Sequence, residues 1–110
     1  MIIKSVLAGA ILATSTWAVA DAVEQGKAIA FDRKKGNCLT CHQMADGELA
    51  GNWGPPLMAM KARYPNKADL RAQIYDATKR NPMTSMPPFG RTGILTDAEI
   101  DLVVEFVHSL

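Results

Sequence analysis

The chain has 110 residues, with 12 lysines and arginines against 11 acidic residues, and a mean hydropathy of zero. That length allows one small domain, and a nearly balanced charge with no basic stripe excludes a nucleic-acid binder held by phosphate contacts. Two cysteines are too few for a disulfide scaffold.

The N-terminal stretch "MIIKSVLAGAILATSTWAVA" carries one positive charge, Lys4, then an apolar run and small residues. Ala18-Val19-Ala20 fits the cleavage pattern of a secretory signal, so the mature chain is expected to be residues 21–110, exported to the periplasm. An uncleaved membrane anchor is the competing reading. The apolar run falls short of the roughly 18–20 residues that a spanning helix needs. Without Lys4 the mature charges balance, and export places both cysteines in an oxidising compartment.

The remaining elements are expected to be helices joined by ordered loops. The first should run from about Ala22 to Lys35, with Val23, Gly26 and Ala30 on one side and Gly36 as terminator. A short second helix is expected to open at Pro55-Pro56 and continue through Leu57 and Met60 toward Arg63. The third is expected over Lys67 to Arg80, capped by Asn66, with Leu70, Ile74 and Ala77 inward. The last starts at a capping box, Thr96 and Glu99, and repeats Ile100, Val103, Val107 and Leu110 at helical spacing. Between them, Met44 to Gly54 and the proline-rich Asn81 to Leu95 read as irregular. Period-2 alternation is absent, so the fold class is all-α. Its apolar content is thin for such loops unless a large apolar group sits at the centre.

Between the first two helices lies "GNCLTCHQ", which holds both cysteines and one of the two histidines. A thioredoxin-like redox pair would need a βαβ context, and a zinc knuckle would need a second ligand pair; neither is present. Two thiols two residues apart, followed by an imidazole, suit covalent c-type haem: Cys38 and Cys41 add to its vinyl groups and His42 becomes the proximal iron ligand. For the sixth ligand, His108 is read as an exposed side chain near the last helical turn. Met44 lies too close to His42 to reach the opposite face, and Met58 and Met60 read as core filler. Met83 and Met86 remain, and Met86 is favoured because Pro87-Pro88-Phe89-Gly90 stiffens and covers its flank. A saturated His/Met iron points to electron transfer rather than substrate chemistry. The basic residues Lys61, Arg63, Lys67, Arg71, Lys79 and Arg80 suit either a docking face or a solvated one balanced by Asp69 and Asp76. Trp53 suits either haem-edge packing or an interface.

The order of helix, C-x-x-C-H, "GPPL", "MPPF" and a terminal helix with Phe106 resembles the class I cytochromes c. That resemblance implies that the first and last helices cross at Gly26 and Phe106. It also implies that the Pro55 carbonyl accepts the His42 imidazole N–H. Over residues 36–110, "GELAGNWGPPL", "MKARYPNKADLRAQIYDAT" and "MPPFGRTGILTDAEID" resemble the monohaem SoxX subunits of SoxAX cytochromes, which serve thiosulfate oxidation; residues 21–35 carry little of that signal. The resemblance implies a SoxA-like partner subunit, with or without a small third subunit. It further implies a SoxYZ-type carrier whose cysteine receives thiosulfate and a small cytochrome c as downstream acceptor. This chain would then take up electrons and be the electron-transfer half of a heteromeric thiosulfotransferase. A free-standing cytochrome c shuttling between respiratory complexes is the alternative.

Overall fold

The computed structural model describes Gly9 and residues 15–110; most of the expected signal segment lies outside the described residues. Four α-helices follow in order: α1 (Ser15–Phe31), α2 (Met60–Arg63), α3 (Lys67–Tyr75) and α4 (Asp97–His108). Two 3₁₀ turns, Cys38–Thr40 and Ala77–Lys79, lie between them, and the described residues contain no strand beyond a lone bridge of Met44 with Leu57. The all-α expectation holds. No helix among the described residues is long and apolar enough to cross a membrane.

Local chemistry explains where each helix departs from its expected span. α1 stops at Phe31, not Lys35, because Asp32 turns the chain back. Its side chain accepts from the Lys34 amide at 2.8 Å, and its carbonyl accepts from Lys35 and Asn37. Gly36 then closes the turn, its amide bonded to the Ile29 carbonyl at 3.2 Å. Pro55-Pro56 does not open α2. The backbone there is spent elsewhere: the Leu57 amide bonds the Gln43 carbonyl at 2.8 Å, and the helix begins only at Met60. α3 starts at its Asn66 cap, with the side chain accepting from the Ala68 amide at 2.9 Å. It breaks at Asp76, which caps the following 3₁₀ turn through the Thr78 amide at 3.1 Å. The Thr96/Glu99 capping box is formed, both bonds being 3.1 Å.

Burial follows the helical spacing on α3, the 3₁₀ turn after it and α4. Leu70, Ile74, Ala77, Ile100, Val103 and Val107 are all buried, and Leu110 packs partly against them. α1 crosses α4 at Gly26, where a Cβ would overlap the Leu102 carbonyl and meet the Phe106 Cβ. Phe31 stacks edge-on against Phe106, centroids 5.8 Å apart. The turn after α1 is tied to α4 by the Lys35–Glu99 ion pair, which holds the Glu99 carboxyl below its ordinary 4.5.

Three sequence expectations need correction. His108 is buried at 9 % exposure, with Nε2 3.0 Å from the Tyr64 carbonyl, so in the neutral form that N–H donates to the segment joining α2 and α3. The inward face of α4 is wider than its apolar stripe and takes in the terminal histidine. Met58 is 61 % exposed and fills no core, whereas Met60, two residues on at the start of α2, is 1 % exposed. The basic residues of α3 are not balanced by Asp69 and Asp76. Lys67 pairs with Glu105 at 2.9 Å, and Arg71 pairs with Asp97 at 3.0 Å and Asp101 at 2.7 Å, so both cations brace α3 against α4.

Candidate functional site

Cys38 and Cys41 flank one tight turn. Asn37 enters it in the left-handed region (φ 50°), and its side chain accepts from the Thr40 hydroxyl at 2.7 Å. The amides of Cys41 and His42 both bond the Cys38 carbonyl, at 3.2 and 2.9 Å. The two thiols are half-buried and not joined to each other. Burial pushes the Cys38 thiol up to about 11, so it stays protonated at neutral pH and is a poor free thiolate.

The chain then folds back over this turn. The Gly51 amide bonds the Leu39 carbonyl and the Gly54 amide bonds the Cys41 carbonyl, each at 2.8 Å. Both glycines are required by close approach: a Cβ at Gly51 would overlap the Thr40 carbonyl, and one at Gly54 would overlap the His42 ring. The fold-back sets the Pro55 carbonyl 2.7 Å from His42 Nδ1. A carbonyl only accepts, so in the neutral ring Nδ1 carries the proton and Nε2 keeps its lone pair.

The proline-rich loop approaches the same apolar body from another direction. Met86 packs against the buried core cluster, as do Cys38, Leu39 and Leu57. Met83 is 88 % exposed. Each methionine amide bonds a side-chain oxygen two residues earlier, Met86 to Thr84 and Met83 to Asn81, both at 3.1 Å. Downstream, the amides of Gly90 and Arg91 both bond the Tyr75 carbonyl, at 3.0 and 3.3 Å, and a Cβ at Gly90 would overlap the Tyr75 ring. Tyr75 and Asp76 as anchors of this loop escaped the sequence reading, which ran the helix through them to Arg80; the Asp76-Ala77-Thr78 capping pattern was the signal that could have shown them. Trp53 is 83 % exposed.

The donor set fits a covalently attached haem. Two thiols share one turn, an imidazole Nε2 is left free by its own second nitrogen, and a thioether lies on the same core. Among the described residues, one buried side-chain oxygen has no partner in the protein, the Gln73 Oε1 on α3 beside Ile74. No three histidine, cysteine, aspartate or glutamate side chains among the described residues cluster as a metal cage.

Fold and site together describe a small helical domain with a thiol pair and an imidazole on one turn. The cytochrome c family model matches residues 23–110, and the chain belongs to that family. The family implies a covalent c-type haem and a role in electron transfer. The crystal structure of SoxXA from P. pantotrophus is similar in fold, with a TM-score of 0.70 and 29 % identity, covering 78 % of this chain and 79 % of that one. An uncharacterized lipoprotein of Aquifex aeolicus (strain VF5) is 34 % identical over 76 residues, covering 68 % of this chain. The matched part spans 37 % of that relative's length.

Proposed function

We propose that this chain is the electron-transfer subunit of a SoxAX-type cytochrome complex. In that complex it accepts electrons released when thiosulfate is oxidatively coupled to a carrier-protein cysteine. The observation that carries the reading is the likeness to SoxXA, in both fold and 29 % of positions, over most of both chains. Cys38 and Cys41 would attach the haem and His42 Nε2 would be its proximal ligand, with the Pro55 carbonyl orienting that ring and raising its basicity. Met86 would supply the sixth ligand. Its half-burial on the shared core supports it over Met83, which is almost fully exposed. Haem bound there supplies a one-electron iron couple, and a neutral thioether ligand favours the reduced state. With both cysteines used for attachment, this chain has no thiol left to carry a sulfur adduct. The substrate-handling step therefore falls to a SoxA-like partner, with a SoxYZ-type carrier and a small cytochrome c acceptor completing the chain. A periplasmic address rests on residues 1–20, with cleavage after Ala20; Ala18 to Ala20 are exposed on α1, within reach of a peptidase.

The chain alone should show no thiosulfate-coupling activity. Its haem should become reduced only when a SoxA-like partner, carrier and thiosulfate are all present, read by visible absorption. Coupling of thiosulfate by the isolated chain would overturn the assignment.

The ligand assignment has its own test. Oxidised protein should show the weak near-infrared charge-transfer band of an iron–thioether bond. Met86→Ala should abolish that band and lower the reduction potential, by a fraction of the ~0.8 V range that axial ligands span. Met83→Ala should leave both unchanged; the reverse pattern moves the ligand to Met83.

A further inference from the structure

Asp76 is a buried carboxylate whose cation, Arg91, is half exposed. Asp76 itself is 5 % exposed and stands where α3 breaks. Its Oδ1 accepts from the Thr78 amide and hydroxyl, and its Oδ2 accepts from Arg91 Nε at 2.9 Å. Arg91 lies five residues beyond Met86, at the far end of Pro87-Pro88-Phe89-Gly90. The same two-residue station, Tyr75-Asp76, therefore grips the loop twice: its carbonyl holds the Gly90 and Arg91 amides, and its carboxylate holds the Arg91 side chain. The loop's other end is fixed close by, with the Asn81 amide on the Ala77 carbonyl at 3.1 Å. Two prolines make the intervening backbone stiff, so displacement at Arg91 is passed to Met86 rather than absorbed.

We propose that Asp76 and Arg91 are a latch: positioning residues that hold the proline-rich loop closed and so keep the Met86 thioether in place. This rests on the assignment of Met86 as ligand. A single neutral thioether is a weak bond to ferric iron, and its lifetime is set by how often the loop opens. The Arg91 guanidinium is half exposed, so solvent screens the pair in part, yet it is the ion pair among the described residues that ties the loop to the end of α3. Leaving that carboxylate without its cation also favours any opened state that rehydrates it.

The test is displacement of the sixth ligand by cyanide in oxidised holoprotein, followed by loss of the near-infrared band. Arg91→Gln and Asp76→Asn should each speed displacement by about fivefold, the scale of one partly exposed ion pair. The double variant should be no faster than the faster single, since both remove one contact. Arg91→Lys should recover part of the difference by restoring charge. Lys67→Gln breaks a surface ion pair between α3 and α4 that takes in no residue of the loop, and should displace at the wild-type rate. A wild-type rate in Arg91→Gln overturns the latch. Retention of the band in Met86→Ala overturns the ligand assignment instead. The latch is then decided by hydrogen exchange at the Gly90 and Arg91 amides, faster in Arg91→Gln if it exists and unchanged if it does not.

Discussion

Replacing Cys38 and Cys41 together by serine should yield a chain that holds no haem through denaturation. The wild-type chain, exported and matured, should keep its colour on a denaturing gel and exceed the mass from Asp21 by one haem. The double variant should run colourless at the mass of the bare chain. The reason is geometric as well as chemical. Both thiols sit on one short turn closed by two amides on the Cys38 carbonyl, and neither is joined to the other. Serine preserves the turn but forms no thioether. The consequence reaches the fold, because a domain of this size has little core to spare, and Cys38, Leu39, Leu57 and Met86 pack around the cluster from the loops. A large drop in thermal stability should accompany loss of colour. A coloured denatured band from the double variant would sink the attachment scheme.

The parts of this structure legible in the sequence are those governed by local chemistry. The Thr96/Glu99 box, the Asn66 cap and the 3.6-residue burial on α3 and α4 each depend on residues within two turns of one another, and all are formed. The cysteine turn is equally local. What was not legible depends on partners distant in the chain. Pro55-Pro56 suits a helix start until the backbone around it is claimed by Gln43 and His42. His108 resembles a surface helix end until the Tyr64 carbonyl meets it. Met58 and Met60 are alike in composition and spacing to any nearby core; the left-handed Ala59 between them sends one to solvent and the other inward. Asp69 and Asp76 looked like neighbours for the basic residues of α3, yet Arg71 reaches across to α4 and Asp76 to the methionine loop. The implied crossing of the terminal helices at Gly26 and Phe106 is seen in full.

That crossing carries the largest expected effect on stability. Gly26 sits in the middle of α1, where glycine costs about 1 kcal/mol relative to alanine, so it stays only because something forbids a side chain. The obstacle is backbone: a Cβ at residue 26 would overlap the Leu102 carbonyl and crowd the Phe106 Cβ. A flexible side chain could rotate away, but a carbonyl inside a capped helix cannot move without α4 moving too. Gly26→Val should therefore push the two helices apart, opening the contact of Phe31 with Phe106 and the packing of Val103 and Val107. Overpacking alone costs about 1–3 kcal/mol. Separating the main helix pair of a small domain adds lost burial at about 25 cal/mol per Å². The sum approaches the 5–15 kcal/mol that holds such a domain together. Gly26→Val is expected to unfold at room temperature or to melt tens of degrees lower by circular dichroism, with Gly26→Ala intermediate. Ala28→Val, on the exposed side of the same helix, should cost less than about 1 kcal/mol, the β-branched propensity penalty alone. Equal melting of the residue 26 and residue 28 valine variants would mean that α1 and α4 do not meet at Gly26.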